Sequence, residues 1–211
     1  MEIAPEHING GFTYTHTRNK TIFVFRREEF PKVFVHETLH HTPLDSHSQW
    51  SSANLQKIYK YFHIDMSNCN RAMQCHTTDV RPNEAWVETW AEIYHLLFIQ
   101  YEYNLPWSFL WKAEREWACV QAKRVLLLQK AQPHGTWRER THAFSYMVLR
   151  AALLWHAPHL LQQLQTGITW NASQLTQRMI ASYENPTFKE CLRRTRIPSH
   201  SSFRMTVFGD L

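Results

Sequence analysis

The sequence predicts an α+β fold, mainly helical, in which a small N-terminal β-hairpin packs on a helical bundle. Two alternating runs rich in β-forming residues, 12–17 and 21–25, are separated by Arg18-Asn19-Lys20, which is typical of a hairpin. Beyond Pro31, apolar residues recur at helical spacing through most of the chain. A total of only five glycines also argues against a design rich in strands.

Prolines and capping residues order the predicted helices. Pro31 suits a first helical turn, and Pro43 ends that helix at about Thr42. Ser51 or Ser52 caps a second, amphipathic helix. Further helices are predicted over 82–104, 106–131, 136–156, 158–166 and 171–184.

Length and composition favour a single domain. The chain has 211 residues, 44% of them hydrophobic and 19% charged, so we expect one domain over 1–211 with a basic tail at about 186–211. Segment 203–208 of this tail is typical of a strand. No leader of a secreted protein and no apolar run of about 18–20 residues is evident, so we expect a soluble, intracellular protein without a membrane span.

Two other kinds of site are less favoured by the residue patterns. The four cysteines lack the paired spacing of a zinc cluster, and we expect them to be free thiols. The basic run Arg193-Arg194-Thr195-Arg196 is short and has no interleaved aromatic residues. Nucleic-acid binding is therefore not favoured, although the formal net charge is +5.

The pattern with the clearest chemistry is His36-Glu37-Thr38-Leu39-His40, an H-E-x-x-H segment inside the first predicted helix. Helical geometry puts both imidazoles on one face, one turn apart, with the carboxylate of Glu37 beside them. Catalytic zinc is held by three protein ligands and keeps one open position. We therefore predict one zinc ion per chain, held by His36 and His40, with Glu37 as the general base.

The third ligand is not found in the segment that follows the motif. An extended motif of the metzincin type would need glycine at position 43 and histidine at position 46, whereas the chain has Pro43 and Ser46. His47 lies one residue further on, beyond the interrupting proline, and is a less favoured alternative.

A second predicted helix carries the missing acidic group. Glu84, Glu88 and Glu92 form a stripe at intervals of four residues, and like charges at this spacing destabilise a helix. No lysine or arginine lies between Arg81 and Lys112. Solvent, a distant basic partner or a metal must therefore stabilise the stripe, and the under-ligated H-E-x-x-H helix favours a metal.

These two helices together resemble the gluzincin group of zinc metallopeptidases. Segment 86–91, with Glu88 followed by Ala91, is similar to the E-G-F-A segment of aminopeptidase-like members. Asn83-Glu84, followed by Glu88, is similar instead to the N-E-x-x-x-D segment of thermolysin-like members. Glu88 is favoured as the third ligand because it is central in the stripe and Ala91 follows at the spacing of the pattern. Glu84 is the open alternative.

The resemblance implies a zincin-like fold and the hydrolysis of peptide bonds in a peptide or protein substrate. It implies that strand 21–25 holds the substrate backbone. Glu92 or Glu84 would orient a ligand imidazole, and His142 or Tyr146 would stabilise the oxyanion. The alternative is a catalytically inactive zinc-binding protein of the same fold with a regulatory or structural role. Glu37 argues against this alternative, because a purely structural zinc site needs no base.

Overall fold

The computed structural model describes most of the chain. The described residues are 8, 10–14, 21–45, 50–65, 80–139, 141–156, 162, 170–199 and 203–209. His47 lies outside them, as does the predicted helix at 158–166 apart from residue 162.

The predicted hairpin is present as a two-stranded antiparallel sheet. Strand β1 (Gly11–Thr13) pairs with β2 (Ile22–Val24), and Phe12 lies opposite Phe23. Both strands pack on the first helix. The approach is close, because a Cβ atom added at Gly11 would lie 2.7 Å from Cγ1 of Val33. Glycine at this position therefore lets the sheet lie directly against the helix that carries the H-E-x-x-H motif.

Helices make up most of the remaining described chain. Pro31 lies in the first turn of α1, and the side chain of Ser51 caps α2, as the sequence predicts. A turn of π-helix at Phe144–Leu149 continues directly into α5. The helices are α1 (Phe30–Leu39), α2 (Ser52–Tyr61), α3 (Pro82–Tyr103), α4 (Trp107–Ala131), α5 (Arg150–Trp155), α6 (Ala172–Glu184) and α7 (Pro186–Arg194). The mainly helical fold with a small antiparallel sheet is therefore confirmed.

The helix predicted over 136–156 begins later than expected. The segment around Trp137 is extended, because its N–H donates to the carbonyl oxygen of His63 at 2.8 Å and its own carbonyl oxygen accepts from Asp65 at 3.0 Å. The Trp137 side chain is buried. Burial of this ring and pairing with residues 63–65, just after α2, therefore outweigh the helical tendency of the segment.

The basic tail also differs from the prediction. Its first part forms α7, and its segment 203–208 does not form a strand. The amides of Met205 and Thr206 donate to one carboxylate oxygen of Glu29, at 2.6 and 3.3 Å. The amide of Val207 donates to Glu114 at 3.1 Å. Buried side-chain carboxylates thus take the place that a neighbouring strand would have.

One cluster of buried apolar side chains connects the helices, and α3 contributes to it along most of its length. α1 packs against α3, and α3 also contacts α4, α5 and the π-helical turn. Among the described helices, none combines the length and the apolar character that crossing a membrane requires. The packing of α1 on α3 brings the two halves of the predicted metal site together.

Candidate metal centre

Three donor atoms from α1 and α3 converge at one point. Nε2 of His36 lies 3.0 Å from Nε2 of His40, which is the C-cap residue of α1, four positions further on. Oε2 of Glu84, from the first turn of α3, lies 3.4 Å from the former and 3.5 Å from the latter. Among the described residues, these three side chains form the group that could hold a metal ion.

The separations of these donor atoms match a tetrahedral site. Zinc binds imidazole nitrogen and carboxylate oxygen at about 2.0–2.1 Å, so tetrahedral ligands lie about 3.3–3.4 Å from each other. The three observed separations are 3.0, 3.4 and 3.5 Å. Two imidazoles and one carboxylate are also a donor set that zinc accepts. The residues present therefore fit a zinc ion with one further position open.

A carboxylate holds the other ring nitrogen of each histidine. Nδ1 of His36 lies 2.7 Å from Oε2 of Glu88, and Nδ1 of His40 lies 2.8 Å from Oδ2 of Asp45. An ionised carboxylate can only accept a hydrogen bond, so each Nδ1 carries the proton and each Nε2 can present a lone pair to a metal. Metal-binding histidines are commonly oriented in this way.

The structure places Glu88 differently from the expectation that it is the third ligand. One of its oxygens bonds to Nδ1 of His36, and the other forms an ion pair with Nζ of Lys32. Both oxygens are thus engaged away from Nε2 of His36, and it is Oε2 of Glu84 that lies near the Nε2 atoms of both imidazoles. Lys32 explains why Glu88 is held away from Nε2 of His36. It lies one turn before His36 on the same face of α1 and faces Glu88 across the interface.

The third glutamate of the stripe lies deeper in the protein. Oε2 of Glu92 accepts a hydrogen bond from Nη1 of Arg150 at 3.0 Å, and both side chains are fully buried. Glu88 and Asp45, and not Glu92, are the carboxylates that bond to Nδ1 of the two imidazoles. The stripe is stabilised by two distant cations, Lys32 and Arg150, and by the paired imidazoles.

The electrostatics of the site favour positive charge between the imidazoles. Burial by itself lowers the pKa of His36, but hydrogen bonds with Glu84 and Glu88 outweigh it and raise the pKa to about 9. Burial likewise lowers the pKa of His40, and its contacts with Asp45 and Glu84 raise it to about 10. The pKa of Glu84 lies well below its usual range, because hydrogen bonds with both imidazoles outweigh its burial.

Glu37 lies beside the ligand group at the edge of a cavity of about 260 Å³. The cavity is also lined by His36, His40 and Glu84, so it opens directly onto the donor atoms. Burial raises the pKa of the Glu37 carboxyl above its usual range, and the nearby imidazoles partly offset this. A carboxylate of raised pKa beside a metal position is suited to accept a proton near neutral pH.

Both predicted candidates for oxyanion stabilisation line the same cavity. Tyr146 donates its hydroxyl proton to Oε2 of Glu84 at 3.0 Å, and its ring lies 5.7 Å from that of His36. Burial raises the pKa of Tyr146 well above its usual value, so the hydroxyl keeps its proton and remains a donor. His142 lies one turn earlier, with its ring 5.8 Å from that of Tyr146. The π-helical turn thus brings Tyr146 to the ligand group.

The strand next to the cavity is β1, whereas the resemblance implies the second strand of the hairpin. The cavity is lined by residues 10–13, and no residue of segment 21–25 lines it. β1 is therefore the strand of this sheet that borders the cavity.

Sequence reasoning missed Asp45 and Lys32. Lys32 had a detectable signal, since Lys32, His36 and His40 follow each other at intervals of four residues on one helical face. Asp45 had a weaker signal, because the turn over 42–45 that returns it toward His40 is not specified by any periodic pattern.

Comparison of the chain with protein-family models, with curated proteins and with solved structures finds no match. The functional assignment of this site therefore depends on its own donor atoms, their partners and the adjoining cavity.

Proposed function

We propose that the protein is a zinc-dependent metallopeptidase that hydrolyses peptide bonds. The observation that carries this proposal is the convergence of His36, His40 and Glu84 within 3.0–3.5 Å of one another, beside Glu37 and an open cavity. Among the described residues no fourth ligand closes the group. An open position beside a carboxylate is what distinguishes a hydrolytic zinc site from a structural one.

Each residue of the site has a separate role in the proposed hydrolysis. When bound, zinc lowers the pKa of a coordinated water toward neutrality and polarises the carbonyl group of a substrate. Glu37 accepts a proton from the attacking water and later donates it to the leaving amine, so that the peptide and one water become a carboxylic acid and an amine. Glu88 and Asp45 keep the two imidazoles in the tautomer and orientation that ligation needs.

Tyr146 is the favoured donor to the oxyanion that develops on the substrate. Its hydroxyl lies 3.0 Å from a ligand oxygen, so it is within reach of a group bound at the open position. His142 lies behind it in the cavity wall and can support or replace it.

Strand β1 is the proposed holder of the substrate backbone. The N–H of Phe25 donates to the carbonyl oxygen of Gly10 at 3.0 Å, which marks these residues as a hydrogen-bonded pair. In an antiparallel ladder such pairs alternate with pairs whose polar groups point outward. Gly11 and Thr13 therefore direct their N–H and C=O groups to the edge away from β2, where an extended peptide can add as a further strand.

Two measurements on purified protein test the proposal. Metal analysis should find about one zinc per chain, and a zinc-loaded sample should cleave members of a mixed peptide library. Glu37→Gln should keep its zinc and lose peptide cleavage by about a hundredfold or more, because the general base is removed. Zinc binding without any cleavage by the wild type would favour the inactive zinc-binding alternative. A folded protein that binds no zinc would exclude both.

A further inference from the structure

Three aromatic side chains form an exposed surface on the hairpin, here called the aromatic face: Phe12, Tyr14 and Phe23. The rings of Phe12 and Phe23 are stacked with centroids 4.7 Å apart, and Tyr14 meets them edge-on at 5.5 and 6.2 Å. Their exposed fractions are 43%, 54% and 43%. Exposed aromatic rings in mutual contact are costly in water, and such clusters commonly mark binding surfaces.

The aromatic face borders the candidate metal centre. Phe12 belongs to β1 and is one of the residues that line the cavity. Gly11 and Thr13 face α1, since the former packs on Val33 and the hydroxyl of the latter lies 2.8 Å from Nε2 of His41. Side chains alternate along a strand, so Phe12 projects to the opposite side, away from α1.

A peptide added at the open edge of β1 would share this alternation. Its side chains would point in turn toward α1 and toward the aromatic face. Side chains directly opposite each other on neighbouring strands lie about 4.5–5.5 Å apart at Cβ, close enough for rings to pack. A substrate residue opposite Phe12 would therefore cover part of a surface that is now exposed to solvent.

We infer that the aromatic face is a specificity subsite that selects extended peptide segments carrying aromatic or large aliphatic side chains on the outward side. This inference rests on the proposed function, because the occupant is the peptide held at β1. The three side chains carry no formal charge, so the surface offers acidic or basic substrate residues no ionic partner of its own. Continuity between the face and the cavity favours the substrate as occupant over a second copy of the chain.

The test compares short peptides that differ at one position at a time, with phenylalanine, leucine, serine or glutamate. The wild type should cleave the best phenylalanine or leucine peptide with a kcat/KM about tenfold above that of its serine counterpart. Phe12→Ser should remove this preference, mainly by raising KM for the phenylalanine and leucine peptides. Phe23→Ser should weaken it. Phe98→Ser is the control, since Phe98 is 56% exposed on α3 and does not line the cavity.

Binding separates failure of this inference from failure of the proposed function. Zinc-loaded Glu37→Gln should bind the phenylalanine peptide about tenfold more tightly than the serine peptide, and addition of Phe12→Ser should abolish the difference. This result without any cleavage by the wild type would sustain the subsite and refute the peptidase. The subsite alone would be overturned if the wild type cleaved the phenylalanine and serine peptides equally well, or if Phe12→Ser lowered kcat/KM equally for both. A stable wild-type dimer that Phe12→Ser dissociates would assign the face to a second copy and would also overturn it.

Discussion

Glu84, Glu88 and Glu92 follow one another by single helical turns on α3, yet each meets a different set of partners. Glu84 faces the Nε2 atoms of both imidazoles, Glu88 faces Lys32 and Nδ1 of His36, and Glu92 faces Arg150. The role of each residue is thus decided by the neighbouring helix and not by its own position in the stripe.

The buried pair of Lys32 and Glu88 yields a prediction about single residues. Both side chains are fully buried, so Lys32→Met leaves a carboxylate without its main cation and should destabilise the metal-free protein by about 3–5 kcal/mol. Addition of Glu88→Gln should recover part of this loss, because no unpaired charge then remains. Denaturation in urea measures the free energies of unfolding of the wild type, Lys32→Met, Glu88→Gln and the double variant. A double variant whose loss equals the sum of the two single losses would show that the pair is not coupled.

The sequence identified His36, Glu37 and His40 as candidate site residues, because the H-E-x-x-H motif is local and helical geometry alone brings its groups together. The choice between Glu84 and Glu88 could not be made in the same way. Those residues lie on nearly the same face of α3, and the rotation of α3 against α1 depends on packing that no short pattern specifies. The position of Lys32 on α1 is the residue-level observation that distinguishes them.

At the scale of elements, the close packing of β1 on α1 decides which strand borders the cavity. An added Cβ at Gly11 would lie 2.5 Å from the carbonyl oxygen of Phe23 and 2.7 Å from Cγ1 of Val33. Neither neighbour can withdraw without a shift of the sheet, because one is backbone and the other belongs to a packed helix. Because Gly11 has no side chain, the edge of β1 can lie this close to α1 and β2.

Gly11→Ala should accordingly move β1 and impair substrate binding without disturbing the ligands. We expect the zinc content to stay at the wild-type level and KM for peptide cleavage to rise severalfold, as steady-state kinetics can measure. Gly135→Ala is the control, because its φ of 64° makes alanine unfavourable by about 1 kcal/mol while nothing lies within 4 Å of the added atom. It should lower stability and leave KM unchanged; an equal rise in both variants would contradict the role of β1.

The elements themselves were predicted where their signals are local. Pro31, the cap at Ser51 and the prolines at 82 and 106 marked helix boundaries that the structure places within one or two residues. The late start of the helix near Phe144 was missed because Trp137 pairs with residues 63–65 after α2, which are distant in sequence. Segment 203–208 resembles a strand in composition, but its amides bond to the carboxylates of Glu29 and Glu114.

Across the whole molecule, a buried network of charged groups connects the candidate metal centre to the tail. Nη1 of Arg150 lies 3.0 Å from Glu92 and 3.7 Å from both Glu88 and Glu114. Glu114 in turn holds the tail through Thr206 and the amide of Val207. Burial and the neighbouring charge of Glu92 raise the pKa of Glu114 to about 8, although Arg150 partly opposes this.

This raised pKa gives the stability of the protein a predicted pH dependence. The folded state holds the proton of Glu114 up to about pH 8, whereas an ordinary glutamate loses it near 4.5. The contribution to stability is therefore fully present below about pH 4.5 and is lost as the pH rises to about 8. Glu114→Gln keeps a neutral acceptor for Thr206 and has no proton to lose at this position. The free energy of unfolding of this variant, minus that of the wild type, should therefore increase by a few kcal/mol as the pH rises from about 4.5 to about 8.

Chemical denaturation at several pH values measures the effect of Glu114→Gln. Glu116→Gln is the control, since Glu116 lies on the exposed side of the same helix and its curve should run parallel to that of the wild type. Parallel curves for Glu114→Gln as well would contradict the prediction and would mean that Glu114 is ionised in the folded protein throughout this range.

The most direct test of the metal centre is the zinc content of three proteins dialysed side by side against a weak chelator: the wild type, Glu84→Gln and Glu88→Gln. We expect about one zinc per chain in the wild type and almost none in Glu84→Gln, which loses a ligand. Glu88→Gln should still bind one zinc, with an affinity about 10–100-fold lower, because it loses the partner of His36 but no ligand. A zinc content of about one per chain in Glu84→Gln, together with almost no bound zinc in Glu88→Gln, would contradict the assignment of Glu84 as a metal ligand.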